Sequence, residues 1–170
     1  MIHGEVLVNP LKITNFEEPT TKTMIFTYHI IPDKNLILER IEGSVDLESL
    51  KDNILNQLWN DSKYNPTFQT FIDLRTAEIQ LSPAEITELS EFLLGDEKAT
   101  SGKIIILVSE PFETALAMIF ESKMVTKQEV MVFSDLDRGL NRLNISLEDF
   151  NWLDSPSAKR TQFNDRKAPS

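Results

Sequence analysis

The chain has 170 residues, 41% hydrophobic and 26% charged, with 5 Gly and 8 Pro, which excludes collagen-like, low-complexity and wholly disordered classes and allows one well-formed core. It has no cysteine, so disulfides, thiolate metal sites and cysteine nucleophiles are excluded by inventory. The net charge of −10 is uneven: residues 155–170 carry four basic groups and one acidic, +3, leaving −13 on residues 1–154, and an acidic body repels nucleic-acid backbones and anionic membrane surfaces.

Residues 1–22 read as an N-terminal arm, with one possible strand at Glu5–Val8. They lack a basic stretch followed by a long apolar run, and no segment approaches the ~20 apolar residues that span a bilayer, so a cytoplasmic location is expected with no integral membrane segment. Thr23–Ile31 and Leu36–Ile41 flank the turn-rich Pro32-Asp33-Lys34-Asn35 and predict a β-hairpin. After Gly43, Leu47, Leu50, Ile54, Leu55 and Leu58 recur at helical spacing. Phe68–Leu74 is a compact apolar run and predicts a buried strand. Ser82-Pro83-Ala84-Glu85 then opens a helix to about Leu94, with a capping serine, a first-turn proline and a glutamate placed to bond back.

Lys103–Val108 is almost unbroken apolar sequence and predicts a strand buried on both faces. A third helix follows from Pro111 to about Ser122, then a strand at Glu129–Phe133 and a short fourth helix at about Asp135–Leu143. Beyond Ser146 only Leu147, Phe150, Trp152 and Leu153 are candidates for docking, and Ser155–Ser170 is polar enough to be expected disordered. The expected fold class is α/β: a mostly parallel sheet of four to five strands entered by a hairpin, with about four helices. The domain is expected over residues 23–145, and 146–170 as a partly disordered tail.

Within this order, residues 24–143 resemble the STAS domains, and more closely their SpoIIAA-like branch of uncharacterised bacterial proteins. The resemblance lies in Leu36-Ile-Leu-Glu-Arg-Ile-Glu-Gly-Ser-Val-Asp-Leu-Glu-Ser-Leu50, Phe71-Ile-Asp-Leu-Arg75, Leu81-Ser-Pro-Ala-Glu-Ile86 and Val132-Phe-Ser-Asp-Leu-Asp-Arg-Gly-Leu140. It implies a non-enzymatic regulatory module working through protein contacts with a protein partner or as a homodimer. It also implies a phosphorylation switch at Ser82, which falls where antagonist-type STAS domains carry a phosphorylated serine. Here Leu81 stands in place of the family's acidic residue and Pro83 in place of a small one. Plain helix capping accounts for Ser82 as well. Because the SpoIIAA-like branch is similar in architecture to lipid-carrying Sec14-type domains, the resemblance also allows a carrier or sensor of a lipid or other apolar small molecule.

Asp73 and Arg75 are placed at the C-terminal end of the central strand, where open α/β sheets set ligand-binding groups, with Ser109, Glu110 and Asp135 at neighbouring strand ends. These five residues form a candidate edge for a ligand or partner, and a local ion pair is the alternative for the first two. On the third helix, Phe112, Leu116, Met118, Ile119 and Phe120 are candidates for an apolar ligand or partner surface, or for ordinary core. A hydrolase using Asp73 and neighbouring carboxylates would lack a nucleophile–base pair. No metal site is expected from His3 and His29, which lack ligand spacing, and no phosphate loop implies a cofactor.

Overall fold

Apolar residues at alternate positions of Thr23–Ile31 (β1) turn inward, and the chain reverses through a single 3₁₀ turn at Pro32–Lys34 into Leu36–Val45 (β2). Asn35 closes that turn with φ 51°, a left-handed conformation that asparagine adopts more readily than most residues. The hairpin is antiparallel, with Tyr28 opposite Glu39 and Ile30 opposite Ile37. The computed structural model of the protein describes residues 23–164; the expected strand at Glu5–Val8 and His3 lie outside them.

The other elements follow in chain order: α1 (Leu47–Asn53), β3 (Gln69–Ile79), α2 (Pro83–Gly95), β4 (Ile104–Leu107), α3 (Pro111–Met124), β5 (Val130–Phe133), α4 (Leu136–Arg142), α5 (Leu147–Phe150) and β6 (Lys159–Asn164). They form one six-stranded sheet in the order β5-β4-β3-β2-β1-β6. The ladders from β2 to β5 are parallel, and β1 is antiparallel to both of its neighbours. This is the β-β-α-β-α-β-α-β-α order expected from the sequence, extended by α5 and a sixth strand. Among the described residues no helix is long and apolar enough to cross a membrane.

The sheet is covered on both faces because its interior strands are apolar on both. Ile104 and Ile106 of β4 pack with Ile86 and Leu89 of α2 and Leu116 and Phe120 of α3. Ile105 and Leu107 turn the opposite way, toward Leu140, Leu143, Phe150 and Leu153 of the C-terminal helical segment. Gly43 takes φ +78°, and a Cβ there would collide with the Thr23 carbonyl of β1, so this point of the hairpin requires glycine.

Three expectations need correcting. Lys159–Asn164, read as part of a disordered polar tail outside the domain, pairs with β1 from Thr23 to Tyr28. Its polarity reflects an edge strand with one face in water, and the basic charge of this segment meets the acidic body directly: Lys159 pairs with Asp61 at 2.7 Å and Arg160 with Glu42 at 3.8 Å. Leu55 is exposed, although its spacing placed it on the buried helical face. After Asn53 the helix widens into a π turn over Ile54–Leu58, with the Trp59 amide reaching back five residues to the Ile54 carbonyl, and that extra residue rotates Leu55 outward. Leu147 and Trp152 are also largely exposed, while Phe150 and Leu153 are buried; the exposed Trp152 stacks on His29 at 5.2 Å between ring centroids.

Candidate functional site

A cavity of about 150 Å³ lies between the sheet and the layer formed by α1, its π turn, α2 and α3. Its walls are Ile41, Val45, Ile72, Leu74, Ile79, Ile104 and Ile106 from the strands, with Ile54, Leu58, Ile86, Leu89, Leu116, Ala117 and Phe120 from the helices. Trp59, stacked on Phe92 at 5.9 Å, contributes one wall. A bulge in β3 makes this surface continuous. Arg40 and Glu42 of β2 sit opposite Asp73 and Thr76, so β3 carries one extra residue, and the alternation flips to keep Ala77 and Ile79 on the face of Ile72 and Leu74.

Few polar side chains reach this cavity, and they are unusual. Glu39 projects from β2 and is only 8% exposed. Its carboxyl has no hydrogen-bond or ion-pair partner among the described residues, and burial alone pushes its pKa up to about 8. A carboxyl without a cation nearby stays protonated at neutral pH because its charged form would be poorly solvated. Thr70 of β3 and Asn53 of α1 also line the cavity, and Thr70 Oγ1 and Asn53 Oδ1 are buried without partners. Of the described residues only Gln128 shares that property, so two of the three residues with buried orphan atoms line this one cavity. By contrast, Tyr64 and Thr100 are satisfied by the backbone carbonyls of Lys98, Pro66 and Phe68.

The opposite face of the sheet holds the candidate edge residues. Asp73 is buried and accepts from Arg75 Nε at 2.9 Å, Arg75 Nη2 at 3.0 Å, the Arg75 amide at 3.2 Å and Arg40 Nε at 3.3 Å. Burial pushes its carboxyl up, but the Arg75 hydrogen bonds and charge, with that of Arg40, outweigh this and hold it below the usual carboxylate range. Both guanidinium groups lie over the Phe150 ring, at 5.4 and 6.0 Å. Arg40 continues the network to Asp154 at 2.6 Å. Asp73 is thereby engaged in a structural ion pair, and a carboxylate this stabilised is a weak general base.

The remaining edge residues surround this network without converging on it. Ser109 donates to the Arg75 carbonyl at 3.2 Å, Glu110 is exposed at the start of α3, and Asp135 caps α4 by accepting from the Arg138 amide at 2.8 Å. Ser82 caps α2 in a reciprocal box: its hydroxyl accepts from the Glu85 amide and donates to the Glu85 carboxylate, which also accepts from the Ser82 amide at 2.8 Å. A phosphate on Ser82 would meet that carboxylate directly. Ser82→Ala should lower stability by about 1 kcal/mol, read as the midpoint of urea unfolding, while Ser82→Asp keeps the cap. An unchanged midpoint in the alanine variant would rule out a stabilising cap.

The third-helix candidates divide by face. Leu116 and Phe120 are buried in the cavity wall and Ile119 is half-buried, whereas Phe112 and Met118 are 56% and 57% exposed and point away from it.

The sequence matches no protein-family model and no curated protein. The structure is similar to that of an uncharacterized protein from the DUF3478 family with a SpoIIAA-like fold, from Shewanella loihica PV-4. The two share 16% sequence identity with a TM-score of 0.45, over 72% of this chain and 94% of the other.

Glu39, Thr70 and Asn53 were not legible as site residues. Glu39 sits in Leu36-Ile-Leu-Glu-Arg-Ile41, which reads as one strand of the hairpin that enters the sheet. The available signal was a charge inside an otherwise apolar run, which is informative only once β2 is known to be an interior strand covered on both faces.

Proposed function

We propose that this chain is a binding module for a small apolar molecule held between its sheet and helices α1 to α3. The cavity carries this reading. Protein interiors are close-packed, and apolar walls around a space of about 150 Å³ forgo packing contacts at a cost in free energy. Occupancy by an apolar guest recovers much of that cost, and an engineered cavity of about this size lined by Leu, Ile and Phe binds benzene. Titration with toluene, followed by amide NMR shifts, should perturb residues such as Ile72, Ile106 and Leu116 saturably. Ala117→Phe, which fills the space from α3, should abolish the effect. Absence of any saturable shift at those amides in the unsubstituted protein would sink the reading.

A second reading, a regulatory module working through protein contacts, draws on the outer face of α3, where Phe112, Met118 and Val125 stand exposed. Self-association through that face is the version a single purified protein can test. It predicts a concentration-dependent dimer in sedimentation that Met118→Glu abolishes, and a monomer at all concentrations would remove it.

A further inference from the structure

The binding reading leaves open what kind of apolar molecule is selected, and the cavity wall bears on that. We propose that Glu39 and Thr70 form a polar end that selects a small neutral ligand carrying one hydroxyl group on an apolar frame, a phenol-like molecule. This inference rests on the cavity being a binding site.

Three observations support it. First, Glu39 and Thr70 are neighbours across the β2–β3 ladder: Thr70 pairs with Ile37, two residues before Glu39 on the same face of β2. Second, Thr70 Oγ1 is buried without a partner, Glu39 has no hydrogen-bond or ion-pair partner among the described residues, and two tyrosine hydroxyls close enough to feel its charge are already engaged. Tyr28, opposite Glu39 on β1, donates to Asp61 and the Gln57 carbonyl, and Tyr64 donates to the Lys98 carbonyl. A buried polar group left unpaired is costly, so both atoms are complementary to one ligand group that donates and accepts, as a hydroxyl does. Third, among the described residues no cation lies against Glu39, so a ligand anion would enter a wall with no counter-charge, and a neutral head matches a neutral carboxyl. The cavity volume limits the frame to about the size of one aromatic ring.

Phenol and toluene have the same heavy-atom count and nearly the same shape, so their comparison isolates the hydroxyl. In a wholly apolar cavity toluene binds more tightly, because phenol must give up hydrogen bonds to water. NMR titrations of both at neutral pH should show phenol binding at least as tightly as toluene to the unsubstituted protein. Glu39→Leu should shift the ratio toward toluene by about tenfold or more, with toluene binding retained. Thr70→Val, nearly isosteric, provides the same comparison should the leucine variant fail to fold. Toluene binding tighter than phenol, or an unchanged ratio in the variants, overturns the head-group assignment while leaving the cavity reading intact. Tighter binding of benzylamine than of phenol overturns the neutral-head assignment in the same way. Failure of toluene, phenol and benzylamine alike to perturb the cavity-lining amides removes the binding reading itself and this inference with it.

Discussion

Glu39→Gln should stabilise the protein at alkaline pH and leave it nearly unchanged at pH 5. The carboxyl has an ordinary value of 4.5 in the unfolded chain and about 8 in the fold, raised by burial. A raised carboxyl favours the folded state fully below the unfolded value, and that contribution is lost as pH rises through the folded one. Stability is therefore lost between about pH 4.5 and 8, amounting to on the order of 4 to 5 kcal/mol at 1.36 kcal/mol per unit. The groups around Glu39 do not offset this. Tyr28 faces it from β1 and Tyr64 from the segment after the π turn, both with pKa values raised chiefly by burial, while β3 presents Ile72. Glu113 of α3 is the other acidic group on the cavity wall.

The measurement is the difference in urea midpoint between the unsubstituted and Glu39→Gln proteins at pH 5 to 9. Taking the difference removes the contribution of His29, whose pKa is lowered by burial and by Lys63 and which works in the opposite sense near pH 6. Parallel curves across that range would mean that Glu39 is solvated in the folded protein.

Asp73→Ala should be the most damaging single substitution outside the apolar core, costing about 3 to 5 kcal/mol. The carboxylate is buried between two guanidinium groups that themselves lie over Phe150. Removing it leaves both positive charges with reduced compensation and frees the Arg75 amide that it accepts within the bulge. The bulge sets the face of Ala77 and Ile79, so the loss reaches the cavity on the other side of the sheet. Double replacement of Asp73 and Arg75 by leucine should cost less than Asp73→Ala alone, because only Arg40 then loses a partner and it keeps Asp154. Because its pKa is depressed, the stability Asp73 contributes is present above its ordinary value of 3.8 and lost as pH falls through its lower folded value. A loss below about 1 kcal/mol in Asp73→Ala would place the network among surface ion pairs.

The element order from β1 to α4 was legible because apolar residues recur at helical spacing in the helices and in compact runs in the strands. Ser82-Pro83-Ala84-Glu85 formed the capping box its residues predict, and Ile104–Leu107 is buried on both faces as its unbroken apolar run requires. The C-terminal strand was not legible, because an edge strand with one wet face has the composition of a polar tail. What holds it is its partner β1 and the acidic groups Asp61 and Glu42, more than ninety residues away in sequence.

The site divides along the same line. Local pattern grouped Phe112, Leu116, Ile119 and Phe120 on one face, since helical periodicity is a property of neighbours in the chain; Leu116 and Phe120 are buried there, whereas Phe112, in the first turn, is exposed. It also placed Asp73 and Arg75 close enough to pair, but it could not show that Arg40 and Phe150 complete the cluster. Whether the helices meet the sheet in solid packing or leave about 150 Å³ between them depends on how side chains from strands β2 to β4 and helices α1 to α3 fill one space. The tertiary structure alone decided that. It also decided the character of Glu39, because an isolated carboxyl acquires its protonation state from the dielectric and charges around it, and those are assembled only when β1, β2 and the helical layer come together.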